Sequence, residues 1–184
     1  MTNRSFLFIV GSTRRQGVVG NTELLAREAA AALPAGATQR WIHLNALALP
    51  PFEDIRHHGG EYPMPAGDLR HLLDATLDAT DLVLVSPVYW YSVPAALKLY
   101  IDHWSAWLRV PGVEFKARMA GKRLWVVSTS GGRESAQPMF DSFALCARFL
   151  AMHWMGALWG QGGPPDVVRQ DAEAWAAAGT HFAA

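Results

Sequence analysis

The sequence predicts an α/β fold, a doubly wound parallel sheet with helices on both faces. Two observations carry this. Five short apolar runs recur along the 184 residues, with helical periodicities between them, and strands alternating with helices build right-handed βαβ units. Most of the runs are near-continuous rather than alternating, as strands buried on both faces are.

The strands are expected at residues 5–10, 39–44, 81–86, 123–128 and 156–160. Between them lie helices. The first, 21–33, ends at Pro34 with Gly36 just beyond, and the second spans 67–79. The third, 93–108, carries Val93, Ala96, Leu97, Tyr100, Ile101, Trp104, Trp107 and Leu108 at the spacing of a helix packed on a sheet. Lys98, Asp102 and Ser105 mark its other face, and Pro94 falls in its first turn. The fourth, 137–154, has Pro138 in its first turn and a stripe of Phe140, Phe143, Ala144, Ala147, Leu150 and Ala151. A short fifth helix is expected at 167–178. Leu145, Phe149 and Met152 lie off the main stripe of the fourth helix, so it has apolar surface on more than one side. Such surface is usually buried twice, which predicts a homodimer or homotetramer.

Composition excludes several classes. Lys plus Arg and Asp plus Glu are 16 each, which removes the global electrostatic case for nucleic acid or an anionic membrane. Cys146 is the only cysteine, so disulfide frameworks and thiolate metal clusters are out. No apolar run reaches the ~20 residues of a membrane span, and the N-terminus does not read as a signal peptide. A single cytoplasmic domain over 1–184 is expected.

In such folds ligands bind at the carboxyl ends of the strands. The loops to weigh are GSTRRQGVVGNT after the first strand, PVYWYSVP after the third and TSGGRESAQP after the fourth. The first lacks the Gly-Lys-Ser/Thr ending of a P-loop and the G-x-G-x-x-G of a dinucleotide fingerprint. It still has the parts of an anion site: a helix N-terminus, the side chains of Ser12, Thr13, Asn21 and Thr22, and the fork of Arg14. The alternative is that Asn21 and Thr22 merely cap the helix. In the second loop, Tyr89, Trp90 and Tyr91 suit a planar ligand or, equally, core or interface packing. In the third, Gly131 and Gly132 allow close backbone approach or make a simple turn.

GST-R…GNTELL, SPVYWYSVPAALKLYIDHW and STSGG, in this order, resemble the NAD(P)H-dependent FMN reductases of the flavodoxin-like group, over roughly residues 5 to 160. The resemblance implies a five-stranded parallel sheet in the order 2-1-3-4-5 and one non-covalently bound FMN. It implies phosphate contacts at Ser12, Arg14, Gly20, Asn21 and Thr22. Ring contacts would come from Pro87, Val88, Tyr89 and Trp90, with Ser130, Gly131 and Gly132 at the pyrimidine edge. FMN is expected in preference to FAD, because no second nucleotide fingerprint is present. Where family members often read GSxRxxGNT, the segment RRQGVVG lengthens this loop. The cysteine cluster of the related iron–sulfur flavoproteins is missing.

The implied reaction is ping-pong hydride transfer from NAD(P)H through FMN to a quinone, azo compound, free flavin or similar acceptor. The cofactor does the chemistry, so no side chain is assigned as a catalytic acid, base or nucleophile. The rival readings are a flavodoxin-type electron carrier and a non-catalytic flavin-binding regulator. No metal is expected: adjacent His57 and His58, with Glu61 in the long loop 45–66, are poorly placed to share one ion. Such a loop is often functional in other ways.

Overall fold

The computed structural model describes residues 4–15, 17–57 and 60–183. Five strands, β1 (Ser5–Val10), β2 (Thr38–His43), β3 (Asp81–Pro87), β4 (Arg123–Ser130) and β5 (His153–Gln161), form one sheet in the order β2-β1-β3-β4-β5. All four pairings are parallel. The helices are α1 (Asn21–Ala31), α2 (Gly67–Asp78), α3 (Ala95–Trp107), α4 (Phe115–Met119), α5 (Arg133–Phe149) and α6 (Ala172–Ala178).

The near-continuous apolar runs have the burial they implied. Phe6 to Val10, Leu82 to Val85 and Leu124 to Val127 are all buried. Alternate residues feed two cores. Leu7, Ile9, Leu82, Leu84, Leu124 and Val126 meet α2, α3, α4 and α5. Phe6, Phe8, Val83, Val85, Trp125 and Val127 meet α1 and α6. At the amino ends of the strands, away from the ligand end, buried Asp81 accepts hydrogen bonds from Arg4 Nη2 at 2.6 Å and Trp125 Nε1 at 2.9 Å. The order in which strands are added to the sheet reverses between β1 and β3, which leaves a crevice at their carboxyl ends.

Several expected boundaries need correction. The helix expected at 137–154 runs from Arg133 to Phe149, so Pro138 sits inside it rather than in its first turn. The helix expected to run on to Trp154 is broken at Ala151, the last residue of the expected stripe, whose φ is +54°. His153 and Trp154 open β5, which is longer than the expected 156–160. Met152 is buried rather than part of an outer face, and Ala151 is exposed. The helix expected at 167–178 is split into a 3-10 turn, Val167–Gln170, and α6. Asp171 divides them: its carboxylate caps Ala174 N at 3.0 Å and accepts from Gln161 N at 2.8 Å. Helix α4 was not foreseen. It exists because Phe115 fills a pocket against Trp104 and Trp107.

The long loop 45–66 packs on α3. His103, buried in α3, donates from Nε2 to the carbonyl of Pro50 at 2.9 Å, and Tyr62 is buried in the core. His57 and Glu61 are exposed; His58 lies outside the described residues. Among the described residues no group of three or more His, Cys, Asp or Glu is placed to hold a metal ion. None of their helices is long and apolar enough to cross a membrane.

Candidate active site

The carboxyl ends of β1, β3 and β4 and the first turn of α1 converge on a cavity of about 280 Å³. The first loop contributes Ser12, Arg14, Gly20, Asn21 and Thr22 to its lining, the second Pro87, Val88 and Tyr89, the third Ser130 and Gly131. Three loops far apart in sequence are thus brought together as expected. Trp90 and Gly132 do not line the cavity.

Helix α1 begins without a side-chain cap on its N-cap residue, Gly20. Asn21 and Thr22 have other uses. Thr22 Oγ1 lies 2.6 Å from Thr129 Oγ1, and Asn21 Nδ2 donates to the carbonyl of Pro164 at 2.9 Å. The capping alternative is therefore not what the structure has, and the first-turn N–H groups face the cavity with their partial positive charge. The Arg14 side chain folds over Gly20: a Cβ there would lie 2.8 Å from Arg14 Nε. Neither Arg14 nor Arg15 has an ion-pair partner among the described residues. Asn45 Nδ2 donates to the Arg14 carbonyl at 2.6 Å and ties the loop to the turn after β2.

The second loop explains why Trp90 stands outside. Tyr89 N–H donates to Ser92 O at 2.9 Å and Ser92 N–H to Tyr89 O at 3.0 Å, closing a two-residue turn. Trp90 and Tyr91 occupy it at φ of +50° and +63°. Such turns favour Asn-Gly, and left-handed backbone costs a bulky residue about 1–2 kcal/mol. The turn throws Trp90 into solvent at 93% exposure and leaves Tyr89 at the rim. The Tyr89 hydroxyl is 2.9 Å from Thr13 Oγ1, bridging the first and second loops.

In the third loop, Ser130 Oγ donates to the carbonyl of Gly132 at 2.7 Å and accepts from Trp159 Nε1 at 2.8 Å. Gly132 serves as N-cap of α5 rather than as cavity wall. Several lining residues escaped the sequence reading: Glu23, Thr129, Gly162 and Gly163. Gly162 N–H donates to Ser130 O at 2.8 Å, and a Cβ on Gly162 would fall 2.9 Å from Ser130 N. Only glycine permits that approach. The signal available was the cluster Gln161-Gly162-Gly163-Pro164 following the fifth strand. Glu23, buried in the first turn of α1, is ion-paired with Arg27 at 2.6 Å and hydrogen-bonded to His43 Nε2 at 3.1 Å, both on Oε1.

The described residues lining the cavity include no His, Cys or Lys. What they offer is an anion cradle at one end and a slot walled by Pro87, Val88 and Gly131 at the other. The buried Oδ1 of Asn21 has no hydrogen-bond partner and suits the hydroxyl of a chain linking the two ends. A planar ring on a polyol phosphate matches this set. A doubly wound sheet in this order, with such a site at its switch point, defines a flavodoxin-like flavin-binding protein.

The comparisons agree. The family model for NADPH-dependent FMN reductase matches residues 5–162. YwqN of Bacillus subtilis (strain 168), whose name describes an NAD(P)H-dependent FMN-containing oxidoreductase, is 30% identical over 173 residues, covering 92% of each chain. An FMN-dependent NADH:quinone oxidoreductase of Kineococcus radiotolerans is 35% identical over 111 residues, 54% of this chain and 50% of that one. The solved structure of a Trp repressor binding protein from Bacillus subtilis superimposes with a TM-score of 0.74 at 26% identity, over 96% of this chain and 97% of that one. The chain belongs to the NADPH-dependent FMN reductase family and is an FMN-dependent NAD(P)H oxidoreductase.

Proposed function

We propose that the cavity holds FMN with its phosphate at Ser12, Arg14, Gly20, Asn21 and Thr22 and its ring along Pro87, Val88 and Tyr89. Ser130 and Gly131 meet the pyrimidine edge, while Trp90 and Gly132 stand outside the lining. The observation that carries this reading is the uncapped start of α1 with Arg14 folded over Gly20. When bound, FMN supplies the capacity to accept a hydride and pass on its electrons. The protein's part is positional. Arg14 and the α1 N–H groups hold a dianion, the Thr13–Tyr89 bond closes one side of the slot, and Gly162 and Ser130 shape the opposite wall.

The reaction is a ping-pong transfer from NADH or NADPH to a small acceptor, with a quinone favoured by the quinone-reducing relative and azo compounds or free flavin as further acceptors. It belongs in the cytoplasm, where the nicotinamide pool is. The 184-residue chain works as one domain. Copies pair through the apolar face of α3 and α5, where Leu145 and Phe149 are exposed at 55% and 59% beside Ile101 and Leu108.

The test is spectroscopic. Purified protein titrated with FMN should bind about one equivalent per chain with micromolar or tighter affinity. Its visible flavin absorbance should fall on anaerobic addition of NADH or NADPH and return when a quinone is added. Absorbance unmoved by both nicotinamides would favour an electron carrier or a flavin-binding regulator.

A further inference from the structure

Among the described residues lining the cavity, Glu23 is the only acid. It is 4% exposed and sits in the first turn of α1, next to Asn21 and Thr22. A carboxylate is favoured there by the partial positive charge of the helix start. The same start is the place proposed for the phosphate, so two anions would share it.

Three donors converge on one oxygen of Glu23. Arg27 brings Nε at 2.9 Å and Nη2 at 2.6 Å, and His43, the last residue of β2, brings Nε2 at 3.1 Å, all to Oε1. An ionised carboxylate only accepts hydrogen bonds, so a neutral imidazole must carry its hydrogen on Nε2. Nδ1 is then the nitrogen left to take another proton. The His43 side chain is 36% exposed, which lets that proton come from solvent.

We propose that the protein takes up FMN together with a proton, which His43 receives on Nδ1. His43 thereby acts through Glu23 as a positioning residue of the phosphate site. The proposal rests on the reading of the α1 start as the phosphate cradle.

Charge carries the argument. A phosphomonoester brings a charge of about −1.5 to −2 at neutral pH. Arg14 and the roughly half charge of the α1 start face it, while Arg27 is already paired with Glu23. The bound state therefore lacks up to about half a positive charge or more, beside a buried carboxylate. Histidine is the side chain that supplies charge near neutral pH, and His43 is one hydrogen bond from that carboxylate. The charged groups facing His43 are Glu23 and Arg27 of α1 and, lining the same cavity, Arg14 and Arg15 of the first loop. The three arginines oppose a further positive charge on the imidazole in the flavin-free protein. A phosphate at Arg14 cancels part of that opposition.

The test is calorimetric titration of flavin-free protein with FMN and with riboflavin at pH about 7.5, where the free phosphate, with its second pKa near 6, is almost fully ionised. Repeating it in buffers of different ionisation enthalpy counts the protons. FMN should bring in at least about 0.3 proton per chain and riboflavin less than about 0.1. FMN affinity should rise about threefold as the pH falls from about 8.5 to about 7. His43→Gln keeps a donor for Glu23 but cannot titrate, and it should abolish both effects. Glu23→Gln should reduce the uptake in the same way. In the wild type, the His43 ring resonance, assigned by its loss in His43→Gln, should titrate at higher pH with FMN bound than without. Uptake that persists in His43→Gln would place the proton on the phosphate or on Glu23 and overturn the proposal. Equal uptake with riboflavin, or a His43 titration unmoved by FMN, would overturn it too. Failure of FMN to bind removes the phosphate reading and this inference together. FMN binding without proton uptake removes only this one.

Discussion

The hydroxyls of Thr13 and Tyr89 lie 2.9 Å apart and join the loop after β1 to the loop after β3. Both residues are exposed, so the bond sits at the mouth of the cavity rather than in the core. It links the loop proposed for the phosphate with the loop proposed for the ring.

Tyr89→Phe removes this bond and keeps the ring. A typical hydrogen bond contributes about 0.5–1.5 kcal/mol net, and an exposed one belongs at the low end. FMN affinity should therefore fall by about threefold. Thr13→Val should do the same, and the double variant should be no worse than either single one. Additive losses in FMN titrations would mean that the two side chains act separately.

Arg14→Ala tests the anion cradle. Losing a charge-assisted hydrogen bond to phosphate should weaken FMN by about 1.5–3 kcal/mol. Riboflavin, without the phosphate, should hardly respond. Gly20→Ala should show the same selectivity in milder form, because its new Cβ would push on Arg14 Nε. Equal losses for FMN and riboflavin would place Arg14 away from the phosphate.

The legible parts of this fold were those where local pattern and tertiary role agree. The central residues of β1, β3 and β4 are apolar because both faces of the sheet are covered, and α1 opens on Asn21-Thr22 after a glycine-rich loop. β5 was read too short because the stripe of α5 runs on through Leu150 and Ala151 at helical spacing. What ends the helix there is a backbone reversal at Ala151, which no residue type announces. The α5 start was missed because Arg133-Glu134-Ser135 reads as loop, while Pro138 looked like a first turn. In the site, the first three loops were found from their residues. Gly162 and Thr129 were not, since the need for a glycine at 162 arises from its approach to Ser130, 32 positions earlier. Trp90 looked like a ring contact and instead points to solvent, because the two-residue turn alone decides where it goes.

His181 supplies a pH prediction. It packs against the Trp125 ring at 5.2 Å, and burial lowers its pKa to about 4, opposed only in part by a hydrogen bond to the Val126 backbone. The unfolded chain takes up this proton near the ordinary value of about 6.5. The folded state therefore binds fewer protons between the two values. Stability is fully present above about pH 6.5 and is lost as the pH falls toward about 4, by at most about 3 kcal/mol. Urea midpoints across this range should show the slope, and His181→Gln should flatten it. An unchanged slope in the variant would assign the pH dependence to other groups.

Assembly is tested on the apolar face. Leu145 and Phe149 project from α5 next to Ile101 and Leu108 of the α3 region, and Lys116 lies 4.4 Å from the centre of the Phe149 ring. Phe149→Glu puts a charge into the proposed contact while leaving the core, built from Phe140 and Phe143, untouched. Light scattering should give a dimer or tetramer for the wild type and a smaller species for the variant. A wild-type monomer at about micromolar concentration would refute the pairing.

The order of substrate binding follows from the shape of the slot. Pro87, Val88 and Tyr89 line the cavity together with Gly131, Gly162 and Gly163, and a ring held among them, as proposed, would leave one face open. Productive hydride transfer needs the donor carbon about 3–3.5 Å from its acceptor atom, close to stacking distance. A nicotinamide that reaches this distance occupies the open face of the slot, and a quinone needs the same face. Nicotinamide must leave before the acceptor enters. Initial rates against both substrates should therefore give parallel lines in double-reciprocal plots, and excess quinone should compete with NADH or NADPH. Tyr89→Phe should preserve the parallel pattern, since the shared face and not the Thr13 bond imposes it. Intersecting lines would show that both substrates bind together, and the one-face arrangement would fail.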